Sequence, residues 1–71
     1  MKINDTVSLG NLIKSRRKEL GFTQAYIAEF TGLSASFISN VENGKESAEL
    51  GKVIMLINLL GLDINIEPRE D

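Results

Sequence analysis

Apolar residues recur at helical spacing along most of the chain and switch, near its end, to every second position. Leu9, Leu12, Ile13 and Leu20 mark a first helix, with Ser8 as its expected N-cap and Gly21 as its stop. Thr23 is the next expected cap, and Ile27, Ala28 and Phe30 follow in a second helix of about two turns. Gly32 interrupts that pattern. Ser34 then opens a third helix in which Ile38 and Val41 share a face, and Asn43-Gly44 closes it with residues that tolerate left-handed backbone angles. A loop over 45–47 leads to a fourth helix from about Ala48 to Leu60, with Leu50, Val53, Ile54, Ile57 and Leu60 as its apolar stripe. Gly61 ends it.

The remaining LDINIEP alternates, with Leu62, Ile64 and Ile66 on one side and Asp63, Asn65 and Glu67 on the other. Period two over this length predicts a short strand, which Pro68 ends. Everything before it reads as helical, so the strand has no partner in its own chain. An unpaired strand leaves its backbone N–H and C=O groups unsatisfied, and pairing with the same strand of a second subunit about a two-fold axis resolves that. The alternative is an extended tail packed on its own helices. The expected organisation is one domain over 1–71, with an arm at 1–7, a helical core at 8–60, a dimerisation strand at 62–67 and a tail at 68–71.

Composition sharpens this picture. A chain of 71 residues buries a modest fraction of its surface, so a monomer gains from a staple or a partner. It has no cysteine and no histidine, which removes disulfides and makes a zinc site improbable; no cofactor is expected. Oligomerisation, as a homodimer, is the remaining source of extra burial. No apolar run approaches the roughly 20 residues that span a bilayer, and the N-terminus lacks a signal-peptide pattern, so a cytoplasmic protein without a membrane partner is expected. With no glycine-rich phosphate loop and no evident carboxylate pair, nothing points to an enzyme.

The middle of the chain carries the functional signal. Ala28 is small where two helices would cross, Gly32 sits in the turn, and Ile38 and Val41 are placed to anchor the third helix; this spacing describes a helix-turn-helix. The other face of the third helix bears Ala35, Ser36, Ser39 and Asn40, small and polar without the usual Lys/Glu mixture. Such a face can sit deep in a major groove. Serine donates or accepts toward a base edge, alanine meets a thymine methyl, and asparagine bonds adenine through two hydrogen bonds. These four are the expected base readers. Phe37 is expected to pack in part against the helix 1–2 layer, the alternative being contact of its edge with a thymine methyl or sugar. Asn43, Gly44 and Lys45 follow, and their backbone amides and the lysine head are placed to reach phosphate.

Arg17 to Lys45 fits the signature R-x-x-x-G-x-T-Q-x-x-(I/L)-A, then G-(L/I)-S, then (I/V)-S-x-(V/I/L)-E-x-G-K. In this it resembles the Xre family of helix-turn-helix regulators, which includes lambdoid phage repressors and Cro proteins. The stretch LGKVIMLINLLGLDINIEPR is similar to the C-terminal part of HipB-type antitoxins, where a fourth helix leads into a strand that pairs across the dimer. The resemblance implies an all-α, lambda-repressor-like bundle of four to five helices with a short C-terminal β-strand paired across a dimer. It also implies roles for individual residues. Thr23 caps the second helix, and Thr23 and Gln24 meet a phosphate there, at a helix N-terminus that favours anions; the alternative for both is capping alone. Arg17 pairs with Glu42 and locks the recognition helix. Arg16, with Lys14 and Lys18, either adds positive charge toward the DNA backbone or is a solvated surface residue.

Charge placement reconciles this with a formal net charge of −2. Residues 63–71 hold Asp63, Glu67, Glu70 and Asp71 against Arg69, a net of −3, so the rest of the chain has a net of +1. The acidic balance belongs to the tail. Few cations still mean few released counterions, so affinity for DNA is expected to depend on two half-sites acting together. The expected function is that of a transcriptional repressor binding a palindromic operator in double-stranded DNA. The HipB resemblance adds the role of antitoxin in a type II toxin-antitoxin pair, with a HipA-like kinase toxin as partner. The alternatives are a stand-alone phage- or plasmid-type repressor without a toxin, and a protein-interaction module on the same scaffold.

Overall fold

The computed structural model describes residues 2–70 and consists of four helices: α1 (Thr6–Glu19), α2 (Gln24–Thr31), α3 (Ala35–Glu42) and α4 (Leu50–Leu59). The local punctuation explains most of their ends. Thr23 and Ser34 cap α2 and α3, accepting from the amides of Tyr26 and Phe37. Gly21, Gly32, Gly44 and Gly61 all have positive φ and turn the chain out of a helix.

The start of α1 differs from expectation. Asp5, not Ser8, is the N-cap: its Oδ1 accepts from the Ser8 amide at 2.7 Å, while Ser8 Oγ accepts from the Asp5 amide at 3.2 Å. Ser8 occupies the third helical position and completes a reciprocal capping box with serine in the place usually taken by Glu or Gln. The arm is therefore shorter than 1–7, since Thr6 and Val7 are helical; Met1 lies outside the described residues.

The core is formed by Ile13, Ile27, Leu33, Ile38, Val41, Val53, Leu56, Ile57 and Leu60, drawn from all four helices and the α2–α3 turn. Two expected members of the α4 stripe lie outside it: Leu50 is 69% exposed and Ile54 37%. Leu56, not among the expected set, is fully buried. Helix α4 is apolar on nearly every side, so periodicity admits more than one stripe, and packing into the shared core selects 53, 56, 57 and 60. Leu20 and Phe30 are exposed for the same kind of reason: each is apolar at helical spacing but faces away from the neighbouring helices.

Helix α1 packs on α3 and α2 on α3. The α1–α3 crossing is close because of Gly10, which is buried; a Cβ there would stand 2.4 Å from the Val41 carbonyl oxygen and 2.7 Å from that of Glu42. A second tie joins the start of α1 to the loop after α3, where Thr6 Oγ1 donates to the Gly44 carbonyl at 2.7 Å.

The expected C-terminal strand is not present as a strand. Among the described residues there is no β-ladder, and the chain after Gly61 has no regular secondary structure. A ladder requires a second strand, and no other described residue is in one. Leu62 packs partly against the core, while Ile64 is 49% exposed and Ile66 88%. Only Leu62 of this segment thus packs on the helices, and residues 63–70 are exposed. Asp71 lies outside the described residues. Among the described residues no helix is long and apolar enough to cross a membrane.

Candidate nucleic-acid interface

The turn between α2 and α3 sets the site. Gly32 adopts φ +79° and its amide donates to the Ala28 carbonyl. Thr31 Oγ1 donates to the Ile27 carbonyl at 2.7 Å and accepts from the Leu33 amide at 3.1 Å, so the turn satisfies its own polar groups. Leu33 then drops into the core. From there α3 runs with Ile38 and Val41 buried, at 0% and 4% exposure, and presents Ala35, Ser36 and Asn40 to solvent. Ser39 is half-buried beside them, and its Oγ accepts from Asn43 Nδ2 at 3.4 Å. The four expected base readers therefore fall on one accessible side of one helix. Phe37 is half-buried against the core, with the Lys52 ammonium 6.0 Å from its ring centroid.

A buried polar cluster fixes that helix. Arg17 Nε and Nη2 donate to the two oxygens of Glu42 at 2.7 and 3.0 Å, and Arg17 Nη1 donates to the Phe22 carbonyl at 2.8 Å. Both residues are buried. Burial by itself pushes the Glu42 carboxyl up, but hydrogen bonds from Arg17 and Gln24 and the charges of Arg17 and Lys14 outweigh it and hold it below its ordinary value. The Glu42 hydrogen bond raises Arg17 in turn, against the effect of burial. The cluster therefore stays fully ionised at neutral pH, with α1, α2 and α3 tied at one point.

Gln24 is the third member. Its Nε2 donates to Glu42 Oε1 at 3.0 Å, so the side chain expected to meet phosphate is turned inward to the carboxylate. What the start of α2 still offers an anion is its backbone, because the first amides of a helix have no carbonyl ahead of them; Thr23 takes the Tyr26 amide and leaves those of Gln24 and Ala25. Thr23 itself is exposed.

The loop after α3 corrects another expectation. The amides of Asn43, Gly44 and Lys45 are consumed internally, donating to the carbonyls of Ser39, Val41 and Asn40. This is the hydrogen-bond pattern of a Schellman turn, and it leaves those amides no proton for a phosphate. The side chains of Asn43 and Lys45 remain exposed at the C-terminal end of the reading face. Lys14 and Lys18 are exposed on α1. Arg16 is not directed outward with them: its Nε donates to the Leu60 carbonyl at 2.9 Å and its Nη1 pairs with Glu19.

Gly10, Thr6 and the inward bond of Gln24 position the recognition helix; Gly10 and Thr6 were not among the expected residues, and Gln24 was expected to face phosphate instead. Gly10 did carry a signal, since a glycine inside a helix costs about 1 kcal/mol relative to alanine and usually marks a close approach. Thr6 and Gln24 carried none, because their partners lie far along the chain.

Comparison with known proteins agrees with this geometry. Residues 13–66 match the helix-turn-helix family. The uncharacterized HTH-type transcriptional regulator y4mF of Sinorhizobium fredii (strain NBRC 101917 / NGR234) is 34% identical over 65 residues, covering 92% of this chain and 86% of that protein. The ImmF control region 10 kDa protein of Bacillus phage phi105 is 37% identical over 65 residues, covering 87% of this chain and 69% of that protein. Among solved structures, a HipB–O4 20mer complex matches with a TM-score of 0.87 at 27% identity, covering 99% of both chains. A HipA–HipB–O2–O3 complex matches with a TM-score of 0.88 at 27% identity and the same coverage. With its recognition helix clamped by Arg17 and Glu42 and its match across most of its length, the chain belongs to the helix-turn-helix family.

Proposed function

We propose that the protein is a sequence-specific, dimeric transcriptional repressor that reads a palindromic operator and serves as the antitoxin of a HipB-like toxin-antitoxin pair. One observation carries the DNA-reading part: a short helix with an exposed small, polar face, Ala35, Ser36, Ser39 and Asn40, is locked to α1 by a buried ion pair and to α2 by the Gln24–Glu42 hydrogen bond. A surface helix that only needed solubility would carry long charged residues there. Thr23, the first amides of α2, and the side chains of Asn43 and Lys45 flank the face and supply phosphate contacts. Function is by occupancy: bound protein blocks transcription, and no bond is made or broken.

The unpaired C-terminal segment supports a dimer. Leu62, Ile64 and Ile66 of two copies pair as antiparallel strands about a two-fold axis and cover apolar surface that one chain leaves exposed. Two recognition helices then stand about 34 Å apart, in successive major grooves. The antitoxin role rests on the likeness to HipB, which a solved structure records together with HipA. A second reading, a phage-type repressor without a toxin, is favoured by the likeness to the control-region protein of phage phi105.

The test is footprinting on the DNA upstream of the protein's own gene at two salt concentrations, with Asn40→Ala as control. Protection of a palindrome that weakens as salt rises, and is lost in the folded variant, supports repression. A folded dimer that protects nothing at low salt rejects it. Co-purification of a kinase encoded by a neighbouring gene then separates the antitoxin from the stand-alone repressor.

A further inference from the structure

Two adjacent arginines on α1 reach different partners. Arg17 holds the recognition helix. Arg16 turns to the end of α4, where its Nε donates to the Leu60 carbonyl at 2.9 Å, and its Nη1 pairs with Glu19. Leu60 is the C-cap of α4, so this carbonyl is among those that the helix cannot satisfy for itself. The same guanidinium lies against Gly61, where a Cβ would stand 3.4 Å from Nη2.

The turn that Arg16 grips is fixed in every other respect. Gly61 has φ +71°, its amide donates to Asn58 at 3.0 Å, and the Leu62 amide donates to Ile57 at 3.2 Å. Leu62 packs against the core, and from Asp63 onward every described residue is exposed. The chain therefore leaves the body at one defined point, in a direction referred to α1, the helix that also fixes α3. A six-residue extended segment is a lever of about 20 Å, so a tilt of about 20° at its root moves its tip by about 7 Å. Successive bases are about 3.4 Å apart, so that tilt corresponds to about two base pairs of register.

We infer that Arg16 is a positioning residue that sets the spacing between the two half-sites, by holding the exit of the dimerisation segment against the helix that holds the recognition helix. This rests on the proposed strand-paired dimer. It assigns Arg16 a role different from phosphate contact, and the two roles have different consequences. A phosphate contact adds to affinity at every spacing and needs only a positive charge. A latch affects the choice of spacing and needs the planar guanidinium, which meets Leu60 and Glu19 together; a lysine ammonium lacks that fork.

The experiment is selection from a random-sequence duplex library with the full chain and with Arg16→Met and Arg16→Lys, sedimentation confirming folded dimers. The wild-type protein is expected to return inverted half-sites at one spacing, since a wrong spacing forfeits avidity of on the order of 100-fold. Both variants are expected to return the same half-sites at two or more spacings, with single-half-site affinity within about twofold of wild type. A single unchanged spacing in Arg16→Met overturns the inference. So does loss of half-site affinity in Arg16→Met that Arg16→Lys restores, which identifies a phosphate contact. Lone half-sites from the wild-type protein reject the dimer reading itself, and are told apart from the other outcomes by being seen before any substitution.

Discussion

Arg17 and Glu42 are twenty-five positions apart and share two hydrogen bonds, of 2.7 and 3.0 Å, beneath the recognition helix. Each is buried, and each would be an uncompensated charge without the other. Truncating either, as Arg17→Ala or Glu42→Ala, is expected to lower stability by about 3–5 kcal/mol, read from denaturant unfolding. Replacing both with apolar residues of similar volume should cost much less, because no charge is stranded. If the single variants lose under about 1 kcal/mol, a typical worth for an exposed pair, the cluster does not hold α3 as described.

Acid should act through the same cluster. The folded protein holds Glu42 below its ordinary value, so the unfolded chain binds the proton more readily. The contribution is fully present above about pH 4.3 and is lost as pH falls through the folded value. Asp5 is held low by hydrogen bonds from Ser8 and acts in the same direction at the start of α1. Unfolding midpoints are expected to be flat from neutral pH to about pH 5 and to fall below it. Glu42→Gln should be less stable at neutral pH and show a shallower acid decline. A decline as steep as wild type in that variant would assign the acid sensitivity elsewhere.

Gly10 marks the closest approach of α1 to α3. A methyl group there would meet two backbone oxygens at 2.4 and 2.7 Å, and backbone cannot rotate away as a side chain can. Gly10→Ala is expected to destabilise by about 1–3 kcal/mol, although alanine is the better helix former. Unchanged or raised stability would mean that the helices separate at no cost. Gly51 is the control: a Cβ there meets nothing, so Gly51→Ala is expected to stabilise by up to about 1 kcal/mol.

Base reading should divide the exposed face from its anchors. Ser36→Ala and Asn40→Ala leave the core untouched and are expected to unfold as wild type does. Each should weaken binding to the selected half-site by about 1–3 kcal/mol and relax preference at one base position. Lys45→Ala should weaken binding to all sequences alike and reduce the salt slope by about one. If Ser36→Ala and Asn40→Ala lowered affinity for random duplex equally, they would be backbone contacts and the specificity would lie elsewhere.

Local features were legible in the sequence because they are decided locally. The caps Thr23 and Ser34 and the glycines that end α1, α2 and α4 act within one turn of themselves, and each appears where the sequence placed it. The composition of the α3 face, apolar at Ile38 and Val41 and small and polar opposite, is likewise a one-helix pattern. The Arg17–Glu42 pair came from the family resemblance, not from spacing. Tertiary structure alone decided which stripe of an almost wholly apolar α4 is buried, putting Leu56 inside and leaving Leu50 out. It also turned Gln24 onto Glu42, Arg16 onto Leu60 and the amides after α3 back onto that helix. A long polar side chain chooses among partners that packing brings within reach, and those partners stand 18 and 44 positions away for Gln24 and Arg16. The C-terminal alternation of Leu62, Ile64 and Ile66 is plain in the sequence, but a strand exists only with a partner, and the described residues contain none.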